Sequence, residues 1–454
     1  MAAHAGPVPA AGKIAVAAGI GNVMEWFDFA VYGFFATTIG HVFFPTRTAT
    51  SALLSSLAVF GVAFFMRPLG GLLLGAVGDR AGRRAALAVS VTLMGAATTL
   101  IAALPTYSGV GILAPVLLIL LRCAQGISAG GEWTGASSFL VEYAPQRRRG
   151  LRASVISATG AIGSLLGCVV ALVLTSALSP AQMTEWGWRI PFLLAAPLGA
   201  AGLYVRLRLE DTPVFRDLQQ EDRVTRTPIR EAVTKNLRQI VVMFFCTTVG
   251  GVGYYYLATY VVNFLSAERL GIGRSAALAM TAVGLAAYAV LCPCAGVLSD
   301  RIGRRASMLI CTFGFFVAGI PAFLLMAGLG VPGAIWGIVL LGVFEAIANV
   351  NGVVLLVELF PARTRMTSAS IGYNISLAAI AGPGPLIAAA LAAGVDFVAS
   401  PAFYMSAVAL VAFGVVARFL PETSGRAFLG DDSAPWLAAQ AAGRRAEDVP
   451  AGGA

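Results

Sequence analysis

The chain has 454 residues, of which 58% are hydrophobic and 12% charged. A soluble domain carries roughly 25% charged residues, so this chain could not cover a water-exposed surface, and a soluble enzyme is excluded together with disordered and fibrous chains. Six scattered cysteines and two histidines suggest neither a disulfide framework nor a metal or cofactor site, and the net charge of +9 must be read from where the cations sit.

A membrane-spanning helix needs about 20 mostly apolar residues. Such runs fall near 14–41, 51–78, 85–105, 112–139, 152–178 and 190–208, and then, after a charged stretch, near 239–265, 275–297, 306–329, 333–357, 368–392 and 399–420. The expected fold is an all-α membrane protein of twelve transmembrane helices in two six-helix bundles. Residues 1–208 form the first bundle, 209–238 a cytoplasmic linker, 239–422 the second bundle and 423–454 a cytoplasmic tail. The first run contains Glu25, Trp26 and Asp28 and does not read as a cleaved signal peptide. The linker is expected to hold a short amphipathic helix at Pro228–Lys235. The tail shows no heptad repeat, so no coiled coil is expected there.

If the N-terminus is cytoplasmic, the outer loops hold Arg47, Arg189, Arg269 and Arg274, while Arg67 and Arg122 lie inside spans. The other 25 of the 31 Lys and Arg residues then face the cytoplasm. This is the positive-inside bias. It places both termini in the cytoplasm and assigns the surplus charge to anionic lipid rather than nucleic acid.

The two halves repeat one another. Gly75-Ala-Val-Gly-Asp79-Arg80-Ala-Gly82-Arg83-Arg84 returns 221 residues later as Gly296-Val-Leu-Ser-Asp300-Arg301-Ile-Gly303-Arg304-Arg305. Val141-Glu142-Tyr-Ala-Pro145-Gln-Arg147-Arg-Arg149 returns 216 later as Val357-Glu358-Leu-Phe-Pro361-Ala-Arg363-Thr-Arg365, and Asp211-Thr212 returns 211 later as Glu422-Thr423. Three matches in the same order mean two homologous bundles. Parallel repeats of this kind suit a transporter with its site at midplane between the halves. Gly82 and Gly303 suit positive φ in a tight turn. Arg83 and Arg84 open a helix where the dipole disfavours cations, so they answer to lipid, to topology or to an acidic partner. The motif charges are therefore either cytoplasmic anchors or a pair of latches across the bundles, with Asp79 and Asp300 as candidate partners.

These loops resemble the signature of the major facilitator superfamily, as does Arg122-Cys-Ala-Gln125-Gly126 in the fourth span. Gly21-Asn22-Val-Met-Glu25-Trp26-Phe-Asp28, Arg67-Pro68-Leu69-Gly70-Gly71, Gly130-Gly131-Glu132-Trp133-Thr134-Gly135 and Trp186-Gly187-Trp188-Arg189 more narrowly resemble its metabolite:proton symporter family. That family includes proline/glycine-betaine osmolyte transporters and 2-oxoglutarate, citrate and shikimate permeases. The resemblance covers residues from about 13 to 425 and implies a bacterial inner-membrane importer of a carboxylate-bearing solute, coupled to protons and working as a monomer among membrane lipids. It also implies a coupling role for Arg122.

Ionisable residues near the bilayer centre are functional candidates by default. Glu25, Asp28 and Tyr32 stand at i, i+3 and i+7 on one face of the first span. Arg67 lies at similar depth, twelve residues before Asp79. Proton coupling is expected from Asp28, Glu25, Glu345 and Arg122. Substrate contact is expected from Arg67 and Arg122, from Tyr32, Trp26 and Tyr255 as aromatic faces for an ammonium group, and from Asn349. Tyr254, Tyr256, Tyr260 and Phe27 are further aromatic candidates; the alternative for all of them is packing. Arg67 lies at the depth of both Glu25 and Asp28, and a rival reading makes it only a structural partner of Asp28. Gating is expected from the two loop motifs with Glu132, Glu142 and Glu358. Gly382-Pro383-Gly384-Pro385 predicts a broken eleventh span.

Two other classes compete. A proton-driven drug exporter is disfavoured because residues 154–174 contain no proline. A receptor without flux would need a signalling domain that the short tail does not supply. No nucleophile–base pair or phosphate-cradling loop suggests a membrane enzyme.

Overall fold

The computed structural model describes residues 11–44, 49–208, 211–221, 223–267 and 270–425. Arg47, Arg269, three linker residues and the tail beyond 425 lie outside this set. Among the described residues the apolar runs fold as twelve long helices. In the first half these are α1 (Ala11–Phe34, continued after Phe35 by Ala36–Phe43), α2 (Ala49–Ala81), α3 (Arg83–Ala103), α4 (Leu113–Glu142), α5 (Arg149–Ala177) and α6 (Arg189–Leu207). In the second half they are α7 (Leu237–Leu265), α8 (Arg274–Ile302), α9 (Arg304–Gly328), α10 (Gly330–Glu358), α11 (Ala362–Gly394) and α12 (Pro401–Phe419). The linker forms the expected helix Pro228–Lys235 and a second, unanticipated one, Pro213–Gln220. Pro213 presets the first turn of the latter, and the Thr212 hydroxyl caps it by accepting from Phe215 N at 3.3 Å.

The halves meet chiefly through α2 against α11 and α5 against α8. At both seams a motif glycine lets backbones touch. A Cβ on Gly75 would fall 2.9 Å from Thr367 Cα, and one on Gly296 would fall 2.9 Å from Leu151 Cα. Gly82 and Gly303, with φ of 104° and 91°, make the tight turns into α3 and α9.

Two helices of the second half are irregular. α7 widens to a π-turn over Tyr256–Tyr260, and α11 does so over Leu377–Ala381. In α11 the break falls where the glycine–proline run predicts it. Gly382 N reaches back five residues to Leu377 O at 2.7 Å, and the helix restarts at Gly384.

Candidate functional site

The loop motifs assemble a latch at one end of the interface. Asp79 leaves its own half and accepts from Met366 N at 3.2 Å and Thr367 N at 2.9 Å, the free amides of the first turn of α11. Asp300 does the same for α5, accepting from Gly150 N at 2.8 Å and Leu151 N at 2.9 Å. Glu142 lies between Arg83 of its own half at 3.5 Å and Arg365 of the other at 2.7 Å. Glu358 is held in the same way by Arg304 and Arg149, each at 3.2 Å. Thr212 and Thr423 donate to these two glutamates at 2.5 Å and 2.6 Å. The cations at the start of α3 and α9 have acidic partners: Asp211 accepts from the amides of Arg83 and Arg84, and Glu422 from those of Arg304 and Arg305.

The geometry divides the residues expected in the gate. Asp79, Arg83, Glu142, Asp300 and Glu358 contact the opposite half directly, Arg83 through Ala362 O at 2.7 Å. Arg84 and Arg305 instead donate to Leu207 O and Ala417 O within their own halves. Arg80 reaches the linker at Arg226 O, and Arg301 is exposed. Glu132, expected to serve in gating or packing, makes its contacts inside one half. Its carboxylate pairs with Arg206 and accepts from Ser90 at 2.7 Å, so it joins α3, α4 and α6 inside one bundle.

Further along the interface lies a small cavity between the halves. Trp26 and Trp133 contribute its first-half wall, and Tyr254, Tyr255, Tyr373 and Asn349 line it from the second. The indole of Trp26 packs edge-on against Tyr254 at 4.4 Å and Trp133 at 5.9 Å, and Trp133 stacks parallel to Tyr373 at 6.0 Å. Thr247, Gly250 and Gly352 also line it. On the side away from the latch, Phe64 meets Tyr255 and Phe29, each at 5.2 Å.

Two buried ion pairs flank the cavity in the first half. Arg67 Nη1 lies 2.9 Å from Glu25 Oε1, and Arg122 Nη1 lies 2.9 Å from Asp28 Oδ2. The rival Arg67–Asp28 partnership is therefore corrected to Arg67–Glu25. The pairs differ in their support. Asp28 also accepts from Gln125 at 2.8 Å, and the Tyr32 ring covers Arg122 at 3.5 Å. Neither oxygen of Glu25 has a well-directed hydrogen bond among the described residues. Glu345 accepts from Asn349 at 2.9 Å, and its other oxygen has no partner among the described residues.

Of the expected substrate contacts, Trp26, Tyr255 and Asn349 line the cavity. Arg67 stands behind the wall, its guanidinium 5.9 Å from the Tyr373 ring. Arg122 and Tyr32 are not in the lining, because Arg122 is committed to Asp28 and the Tyr32 hydroxyl donates to Ser56 O at 3.2 Å. Tyr256 and Tyr260 turn into their own bundle, bonding to Pro401 O and Ala388 O, and Phe27 packs with Val31 and Phe35. Trp133 and Tyr373 were not singled out from sequence. Trp133 lies in the Gly-Gly-Glu-Trp-Thr-Gly motif, which is a usable signal, whereas Tyr373 has none.

Two homologous six-helix halves, closed on each other by reciprocal latches around an aromatic-walled cavity, define a secondary transporter. Residues 14–230 match a family described as "Sugar (and other) transporter", and residues 243–445 match "Major Facilitator Superfamily". The proline/betaine transporter of Escherichia coli K12 is 37% identical over 431 residues, covering 92% of this chain and 85% of that protein. A glycine betaine/proline/ectoine/pipecolic acid transporter, OusA of Dickeya dadantii, is 37% identical over 432 residues, with the same coverage of 92% and 85%. The structure of the proton:xylose symporter XylE superimposes with a TM-score of 0.77 at 17% identity, over 95% of this chain and 98% of that one. The chain belongs to the metabolite:proton symporter family of the major facilitator superfamily. It is a multi-pass inner-membrane transporter of a small solute and not an enzyme.

Proposed function

We propose that the protein imports a zwitterionic osmolyte of the betaine or proline type by proton symport and alternating access, with both termini in the cytoplasm. The observation that carries this reading is the pairing of an aromatic-walled cavity with a guanidinium directly behind it. The faces of Trp26, Trp133, Tyr254, Tyr255 and Tyr373 suit an ammonium group, which aromatic rings attract through their quadrupoles. Arg67 suits a carboxylate, which a guanidinium can grip through two parallel hydrogen bonds. The names of the E. coli and D. dadantii relatives support the same solute class.

Coupling follows from the Glu25–Arg67 pair. A carboxylate beside an arginine holds its charge; when the arginine turns to the substrate, the carboxylate is left in apolar surroundings and takes a proton. Asp28, paired with Arg122, is the second coupling acid, and Glu345 is the candidate in the other half. The test is uptake by reconstituted vesicles with and without an imposed pH gradient, offering betaine, proline, 2-oxoglutarate, citrate and shikimate. Gradient-driven accumulation of betaine or proline is expected. Accumulation of only the di- and tricarboxylates would overturn the solute assignment, and gradient-independent uptake would overturn the coupling. Glu25→Gln and Asp28→Asn should each abolish accumulation while leaving solute exchange in place.

A further inference from the structure

The Arg67 guanidinium has two edges on which it could grip a carboxylate, Nε with Nη2 and Nη1 with Nη2. Both are half occupied. Nη1 faces Glu25 at 2.9 Å, Nε donates to Asn374 Oδ1 at 3.3 Å, and Nη2 has no hydrogen-bond partner among the described residues. Nε carries a single N–H, so bidentate capture of a substrate carboxylate on the Nε–Nη2 edge requires Arg67 to give up Asn374.

The two partners differ in where they come from. Glu25 belongs to the same half as Arg67, whereas Asn374 lies on α11 of the opposite half. Asn374 is fully buried, and its amide also donates across the interface to Gly130 O at 2.7 Å. One turn back along α11, Ser370 bonds to Thr134 of α4 at 2.7 Å, and one turn further Met366 and Thr367 are capped by Asp79. The contacts of Asn374, Ser370 and Thr367 thus form one polar seam running from the site arginine to the latch.

We propose that Asn374 is a positioning residue that withholds Arg67 from the cavity, so that capture of the substrate carboxylate severs a tie between the halves. This rests on the reading of Arg67 as the carboxylate-binding group. As Arg67 turns from Glu25 toward the cavity, substrate takes the Nε–Nη2 edge, Asn374 loses its hold on Arg67, and the seam that begins at the latch loses its far anchor. Opening of the closed form then waits for substrate.

The test uses Asn374→Ala and, to keep more of the packing, Asn374→Ser, whose hydroxyl is too short to meet Nε. Spin labels on the exposed positions Arg147→Cys and Ile302→Cys, in an otherwise cysteine-free chain, report the separation of the halves at the latched end. Both variants should populate the open form without substrate and bind betaine or proline about tenfold more tightly, because a hydrogen bond to a charged group no longer has to be displaced. If Asn374 merely orients Arg67 for binding, the sign reverses and affinity falls. Weaker or unchanged affinity with an unchanged distance distribution would overturn the proposal. Should the parent protein bind neither zwitterion, the solute assignment fails while the substrate-free distances still decide whether Asn374 ties the halves.

Discussion

Arg365→Met offers a sharp test of the latch, because it removes a cross-half partner and leaves the rest of the cluster in place. Glu142 would retain Arg83 at 3.5 Å and the Thr212 hydroxyl at 2.5 Å, so no carboxylate is left buried alone. The 2.7 Å bond between Arg365 and Glu142 disappears with the side chain. A charged hydrogen bond of this type contributes about 1.5–3 kcal/mol. At about 1.4 kcal/mol per factor of ten, the closed form should lose roughly tenfold to a hundredfold in population relative to the open one. Arg84→Met is the control, since Arg84 bonds to Leu207 O within its own half. Inter-half distances from the Arg147 and Ile302 label pair would measure both variants. A shift in Arg365→Met but not in Arg84→Met is expected. Equal shifts, or none in either, would refute the assignment of the closing energy to cross-half contacts.

Cysteine placed at Ala181 should react with an impermeant reagent added outside intact cells and at Gln220 should not; the reverse pattern would invert the orientation. Arg67→Met should weaken solute affinity more than Arg67→Lys, and Glu25→Gln combined with Arg67→Met should restore thermal stability, since a lone buried charge costs about 3–5 kcal/mol. Recovery of affinity along with stability would reduce Arg67 to a packing role. In the linker, partial burial tends to raise the Glu231 carboxyl, but Thr225, Arg363 and Lys235 outweigh it and hold it below its usual range. The tie of helix Pro228–Lys235 to Arg363 should therefore be fully present above the ordinary carboxylate pKa and be lost as pH falls through the lowered value. Protease protection of the linker in wild type against Glu231→Gln, followed from neutral to acid pH, measures this; protection that grows on acidification would contradict it.

Spans and repeats were legible because the bilayer imposes one-dimensional demands: a run of apolar residues long enough to cross, and cations kept to one side. The duplicated motif made Asp79 and Asp300 visible as equivalent residues, and even the modest Asp211-Thr212 and Glu422-Thr423 match proved to mark helix caps. The partners of those residues were harder to read. Glu25 and Asp28 share a helical face, and nothing in their spacing says which neighbouring helix each one meets, so the rival reading matched Arg67 to the wrong acid. Tyr373 and Tyr256 look alike in sequence; one lines the cavity and the other turns into its own bundle to bond to Pro401 O. Glu132 looked like a gate residue beside the glycine-rich motif, and only the position of Arg206, at the far end of another helix, accounts for its burial.

The reciprocity of the latch carries a further consequence. Asp79 caps α11 and Asp300 caps α5, while Arg365 reaches Glu142 and Arg149 reaches Glu358. At the latch, a contact between two residues across one seam is repeated by their counterparts across the other, which is the pattern of an isologous surface. Two identical six-helix units related by a two-fold axis would close on each other through these same contacts, each giving a cap and receiving one. Self-complementarity of that kind is a property a single unit must already possess before its copies are joined in one chain. Joining them then frees each copy to diverge, and the divergence is visible in the interior: the paired charges Glu25–Arg67 and Asp28–Arg122 lie in one copy, and the π-turns of α7 and α11 in the other.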